Sequence, residues 1–334
     1  MKQRLTFTFA LAVSAFLIPG SFSRPADAEQ MTEIRIATLA PNGTPWTKVY
    51  NAWNRTLQKE TNNTLKFKFY TGGSMGDERD YIRKMRAGQL DAASLTTFGL
   101  GQIVRPVLVL ALPGVIETYE QLDTVRAKLN DHFEEMFAEA GYQLLIWGDV
   151  GKARLFSTEK VERPAQLKKL RPWAWKDDLI FTEFFDVIGA NPVRLGVPEV
   201  YPALQTHMID TVPASALAAL ALQWYTRLNF VSAQSMGLIV DASLMRKDKW
   251  DALTPEQQTV LLETGKRAHQ ALVKASRKDD DRAYQTLLKR GLTPVDTEAY
   301  QVEWDQAEAA LRTKLVGRVY PKSLLDEVIQ ATRN

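Results

Sequence analysis

The chain has 334 residues, 45% of them hydrophobic and 24% charged, a composition that describes a folded globular protein and excludes a disordered or low-complexity one. Its 42 basic and 39 acidic residues give a formal net charge of +3, too balanced for the basic footprint of a nucleic-acid binder. With no cysteine and only three histidines, disulfides are excluded and a structural zinc site lacks a ligand set.

Lys2 and Arg4 precede an apolar run over residues 5–18, and Ala26-Asp27-Ala28 supplies a small-x-small cleavage site, the pattern of a secretory signal. The run is too short to cross a bilayer comfortably. Residues 1–28 are therefore expected to be removed and the mature protein exported to the periplasm. Their loss takes Lys2, Arg4, Arg24 and Asp27, leaving 39 basic against 38 acidic residues. A chain of this length exceeds one ordinary core, which predicts two lobes.

Residues 33–40, EIRIATLA, alternate like a first strand, and Pro41 to Pro45 closes it with turn chemistry. Trp46, Val49, Tyr50, Trp53 and Leu57 then recur at helical spacing, and LKFKFYT alternates again, a βαβ opening. After the Gly72-Gly73-Ser74-Met75-Gly76 turn, a short helix stops at Gly88, and residues 90–95 read as a third buried strand with Thr96, Thr97 and Phe98 at its carboxyl end. The alternation predicts a mostly parallel sheet. A helix near 123–141 and the strand YQLLIWGDV complete a first lobe, and the chain is expected to cross to a second at Gly148 to Gly151.

In the second lobe, RLFST, a turn at Pro164, LKKLRPWAW and the helix DLIFTEFFDVIG lead to the stretch over 187–223. There a Gly189-Ala190-Asn191-Pro192 turn, an extended run, the helix-like GVPEVYPALQTHMID, a turn at Thr211-Val212-Pro213 and an apolar helical run follow in quick succession. Such an order of strand end, helix and crossing is where an open α/β sheet keeps its ligand crevice. SMGLIVDASLMR is a strand returning to the first lobe. Thr254-Pro255-Glu256-Gln257 starts a helix that runs over 255–290, about 54 Å at 1.5 Å per residue, long enough to bridge both lobes. The predicted organisation is lobe I from 29–150 plus about 237–275, and lobe II from 151–236 plus about 276–334.

Gly72 to Gly76 matches the G-x-S-x-G of a serine hydrolase, with Ser74 as the nucleophile. That chemistry needs a histidine on a loop after a late strand, whereas His132, His207 and His269 all fall within helical patterns. No dinucleotide fingerprint or P-loop occurs, so no cofactor is predicted. Asp279-Asp280-Asp281 points to different helix faces, so no metal site is predicted either. The set expected at the cleft is Pro41, Thr96, Thr97 and Phe98 from the first lobe, with Trp173, Trp175, Val197, Pro213, Ala214 and Leu217 from the second. Trp173 and Trp175, two apart in an extended segment, face the same way; Arg154 and Arg171 are the candidate anchors for an anion.

The chain resembles the extracytoplasmic solute receptors of TRAP transporters, DctP type. The resemblance is carried by the Gly72-to-Glu78 turn followed by MRAGQLDAAS, by ALPGVIET, by LKKLRPW after Pro164, by DKWDALTPEQQTVLLETGKRA, and above all by GANPVRLGVPEVYPALQTHMIDTVPA. It implies an α/β, two-lobed periplasmic-binding-protein fold with mixed sheets, a cleft between the lobes, a long spanning helix and no enzymatic activity. It also implies delivery of a solute to a membrane permease driven by an ion gradient, and it adds Glu78 to the candidate ligand-binding set. The family's carboxylate-binding Arg matches Trp173 here, the helpful Asn matches Ala214, and a second Arg falls near Ala153, served by Arg154 only through a one-residue shift. An indole lacks the planar fork that reads a carboxylate, which predicts an apolar or amphipathic solute. It also likens this chain to the minority without the Arg, some of which work with a helical-repeat partner. The alternative keeps the receptor but gives it an organic acid, held by Arg154 or Arg171.

Overall fold

The computed structural model describes residues 31–333, so the expected signal sequence lies outside the described residues. Ten strands occur among them: β1 Thr32–Ala37, β2 Leu65–Tyr70, β3 Ala92–Thr96, β4 Tyr142–Ser157, β5 Trp173–Trp175, β6 Val193–Leu195, β7 Thr211–Ala214, β8 Phe230–Ser232, β9 Gly237–Arg246 and β10 Thr293–Val295. The helices are α1 Pro45–Glu60, α2 Glu78–Arg86, α3 Thr97–Ile103, α4 Tyr119–Glu139, α5 Leu179–Ile188, α6 Val197–Gln205, α7 Ala216–Ala221, α8 Lys247–Asp251, α9 Pro255–Lys289, α10 Gln301–Leu315 and α11 Lys322–Thr332.

Eight strands make one mixed sheet in the order β10-β8-β4-β9-β3-β1-β2, with β7 also paired to β4, while β5 and β6 form a separate parallel pair. The expectation of a mostly parallel sheet holds for β1, β2 and β3 and for the β8–β10 pair at the far edge. β9 lies antiparallel between β3 and β4, because the chain re-enters this sheet from the far side after residue 236 and not through a crossover helix. A second difference concerns residues 211–213. They read as a turn on account of Pro213, yet they form β7, antiparallel to β4 with Pro213 opposite Leu155. β4 is the one named strand that β7 pairs with, so the N–H that proline lacks costs little in the ladder.

At Gly148 to Gly151, where a crossing between lobes is expected, the chain runs on as one continuous strand of 16 residues, β4. Its register against β9 slips between Asp149 and Gly151, a bulge that bends the strand shortly before it exchanges β9, its partner through Ala153, for β7 and β8 from Arg154 on. Gly151 adopts φ +134, and a Cβ there would sit 2.5 Å from Cγ of Asp280 on α9, so both backbone and space require glycine. The same Asp280 accepts from the N–H of Lys152 on β4 at 3.0 Å and from that of Leu217 on α7 at 2.9 Å.

α1 buries Trp46, Tyr50, Trp53 and Leu57 as the apolar spacing predicts. The 35 residues of α9, capped by Thr254 and Gln257, span roughly 52 Å and pack on β4, α1 and α7. Trp53 donates to Oγ1 of Thr264 on α9 at 2.9 Å. Beside the bulge, buried Asp149 is held by Arg126 of α4 and by Arg277 of α9, each at 2.6 Å. Among the last helices, α10 packs on α5, whereas α11 returns to α4 and the turn at Arg105–Ala111.

Candidate functional site

Between the carboxyl ends of β1 and β3 on one side and the segment from β5 to α7 on the other lies a cavity with about 930 Å³ free of protein atoms, about 120 Å³ of it open to the centres of water-sized molecules. Its size and apolar walls are those of a small-molecule site. From the first half of the chain come Thr38 to Pro41, Trp46, Tyr50, Glu78, Ser94, Thr96 and Phe98; from the second, Trp173, Trp175, Asp178, Phe181, Val197, Pro213 to Ser215, Ala218, Ala221, Leu222 and Trp224. Val150, Ile239 and Asp241 reach it from the two strands that cross at the bulge.

The aromatic wall is one connected cluster. Trp173 and Trp175, alternate residues of β5, have ring centroids 6.0 Å apart; Trp224 meets Trp173 edge-on at 5.5 Å, and Phe98 lies 5.8 Å from Trp175 and 6.1 Å from Phe181. The indole N–H of Trp173 donates to the carbonyl of Leu195 at 3.0 Å, which ties β5 to β6 and leaves its ring, not its donor, to the cavity. Trp175 donates to Oδ2 of Asp77 at 2.7 Å, and the N–H of Val197 reaches the same oxygen at 3.3 Å. Asp77 caps α2 through its other oxygen, so one carboxylate both starts a helix of one wall and holds the opposite wall.

Three carboxyl groups face the cavity. Glu78 accepts from the N–H and the hydroxyl of Thr96 at 2.7 and 2.9 Å, and burial raises its pKa well above the ordinary value. Asp241 accepts from Ser94 at 3.0 Å and Tyr50 at 3.4 Å, and burial pushes it up to about 6. Asp178 caps α5 by accepting from Ile180 and Phe181 through Oδ1; burial pushes it up to about 7, opposed only by those two backbone bonds. No Lys, Arg or His side chain belongs to the lining.

Nine of the residues singled out in the sequence line this cavity: Pro41, Glu78, Thr96, Phe98, Trp173, Trp175, Val197, Pro213 and Ala214. Three do not. Arg154, although opposite Ala214 in the sheet, turns its buried guanidinium to the carbonyls of Ser232 and Ala233 and stacks over Tyr284 at 4.1 Å. Leu217 points off the α7 face that carries Ala218, Ala221 and Leu222, and Thr97 gives its hydroxyl to the carbonyl of Val240 at 2.9 Å. Arg171, the other candidate anchor, pairs with Asp210 at 3.2 Å on a largely exposed side chain. Sequence reasoning left out Trp46 and Tyr50, whose helical stripe reads as core, and Asp178, which reads as a helix cap. Asp241 carried a usable signal, a lone acid inside the apolar run GLIVDASLM.

Ser74 stands exposed on the turn after β2. His132 and His207 are exposed and Nδ1 of His269 faces the carbonyl of Trp147 at 2.7 Å, so no histidine among the described residues hydrogen-bonds Ser74.

A mixed α/β chain with two walls closing on an apolar cavity and a long helix across both is a two-lobed receptor of the periplasmic-binding-protein type. The comparisons agree. The chain belongs to the bacterial extracellular solute-binding protein family 7, DctP, whose model matches residues 36–315. A solute-binding protein of Chromohalobacter salexigens is 24% identical over 261 residues, 78% of this chain and 76% of its own. The 2,3-diketo-L-gulonate-binding periplasmic protein of Escherichia coli (strain K12) is 24% identical over 260 residues, 74% and 77% of the two chains. Among solved structures, a TRAP periplasmic solute-binding protein from Sulfitobacter sp. NAS-14.1 with bound β-D-galacturonate superposes with a TM-score of 0.83 at 18% identity, covering 91% of this chain and all of that one. An extracytoplasmic solute receptor of Bordetella pertussis binding pyroglutamic acid gives 0.83 at 15%, with the same coverage. The protein is thus a periplasmic TRAP-type receptor for a small solute, and not an enzyme.

Proposed function

We propose that this receptor captures an apolar or amphipathic solute between two lobes and delivers it to the membrane permease. The observation that carries this reading is a lining dominated by aromatic and aliphatic side chains, with three acids and no cation among the described residues. A carboxylate shut into such a cavity finds no counter-charge, and leaving it unpaired costs several kcal/mol. The two arginines that could anchor an acid are engaged elsewhere, Arg154 with backbone carbonyls and Arg171 with Asp210. The acids bound by the solved neighbours belong to those proteins; here Trp173 presents a ring face and has already spent its N–H.

The lobes expected from the sequence are 29–150 with about 237–275, and 151–236 with about 276–334; the packing of α11 on α4 supports moving α11 from the second to the first. The hinge proposed is the pair of strands at Gly148 to Gly151 and Gly237 to Asp241, supported by the bulge and by glycines at φ +134 and +143. Mass spectrometry of the small molecule extracted from protein purified from its own host tests the solute class. An apolar or amphipathic species at near-stoichiometric amount is expected, since occupancy stabilises the receptor. A small organic acid at that amount overturns the class while leaving the receptor.

A further inference from the structure

We infer that the polar end of the solute is an amine, received by the free carboxyl oxygen of Asp178. The inference rests on the proposed function, because it takes the apolar walls as the seat of the solute's body. Of the three acids facing the cavity, Glu78 has each oxygen taken by Thr96. Asp241 has Oδ2 taken by Ser94 and Tyr50, and its buried, unpartnered Oδ1 lies against Gly148. Asp178 differs: Oδ1 accepts both backbone N–H groups of the α5 cap, and Oδ2 has no hydrogen-bond partner among the described residues. The residue is 4% exposed and forms part of the cavity wall, which makes the cavity the side from which a solute reaches Oδ2.

Charge and ring chemistry select the donor. A carboxylate solute would enter a cavity holding three acids and no cation. Above about pH 7, where Asp178 is ionised, a neutral hydroxyl meets Oδ2 but leaves the charge unneutralised. An ammonium supplies both the donor and the charge, and the connected rings of Trp175, Phe98 and Phe181 in the same lining favour a cation over an anion. Glu78, Asp241 and Tyr50 are the other titratable groups facing the cavity; none is positive, so nothing in the lining competes with the ligand for Asp178.

The test is calorimetric titration of the purified receptor with three probes that share one body: phenethylamine, phenethyl alcohol and phenylacetate. Phenethylamine is expected to bind at least about tenfold more tightly than either of the others. Asp178→Asn, which keeps the helix cap, is expected to lose about tenfold or more for the amine and to leave the alcohol within about threefold. Amine affinity in the parent protein is expected to rise between about pH 6 and 8 as Asp178 ionises, and to stay flat in the variant. Phenylacetate or the alcohol binding as tightly as the amine, or amine binding unchanged in Asp178→Asn, overturns the inference alone. Binding by none of the three removes the apolar seat itself, and with it the proposed solute class.

Discussion

Trp175 donates its indole N–H to Oδ2 of Asp77 at 2.7 Å, joining two segments 98 residues apart across the mouth of the cavity. The N–H of Val197 shares that oxygen, and Arg79 faces Asp177 at 3.7 Å nearby. Burial raises the pKa of Asp77. On the proposed two-lobe division, this cluster acts as a clasp between the walls. Trp175→Phe keeps the ring and removes the donor, so closure should weaken by about 1–3 kcal/mol, the cost of leaving a buried charged acceptor short of a bond. Small-angle scattering of the ligand-free variant should report a more extended particle; an unchanged scattering curve with unchanged affinity would show that the bond does not hold the walls together.

Asp178→Asn should alter stability in a pH-dependent way. The folded-state pKa near 7 lies above the ordinary 3.8, so the folded protein binds the extra proton between those values. Stability associated with that proton is complete below about pH 4 and is lost as pH rises through about 7, a range worth at most about 4 kcal/mol. Asparagine caps the helix without that charge. The variant should therefore melt above the parent at about pH 8 and with it at about pH 4; a constant difference between the two would contradict the assigned shift.

Trp173 is 5% exposed and packs on both Trp175 and Trp224. Trp173→Ala should cost about 3–5 kcal/mol in denaturant unfolding and abolish retention of the co-purified solute. Trp173→Phe should keep most of the retention but lose about 1–3 kcal/mol, because the Leu195 carbonyl loses its partner. Full retention in the alanine variant would exclude Trp173 from the site.

Arg126→Met should destabilise the crossing by about 3–5 kcal/mol, because Asp149 is 1% exposed and would be left with Arg277 alone. Urea unfolding measures it. A loss below about 1 kcal/mol would mean that Arg277 suffices.

Much of this was legible in the chain. Periodicity placed α1 and α9 within a residue or so, since both bury a continuous apolar stripe and carry a proline at the start. Trp173 and Pro213, expected at the cleft, do line the cavity, although the turn expected at Pro213 is strand β7. What was not legible depends on contacts between distant segments. Pro213 reads as a turn until β4 is known to lie beside it. Arg154 reads as an anion site until Ser232, Ala233 and Tyr284 are found around its guanidinium. Asp178 reads as a cap, and only the cavity reveals that its second oxygen is idle.

The position of β9 has a further consequence, for the order in which the molecule can assemble. Ala92 to Thr96 pair with Met245 to Asp241, and Tyr142 to Ala153 pair with the opposite edge of the same strand. Until about residue 246 has been made, β3 and β4 both present open edges, and the central ladder of the main sheet does not exist. Pairings this distant in sequence make folding slow relative to a chain of local contacts. The sheet is thus closed by a strand that emerges only after about three quarters of the 334 residues have been made.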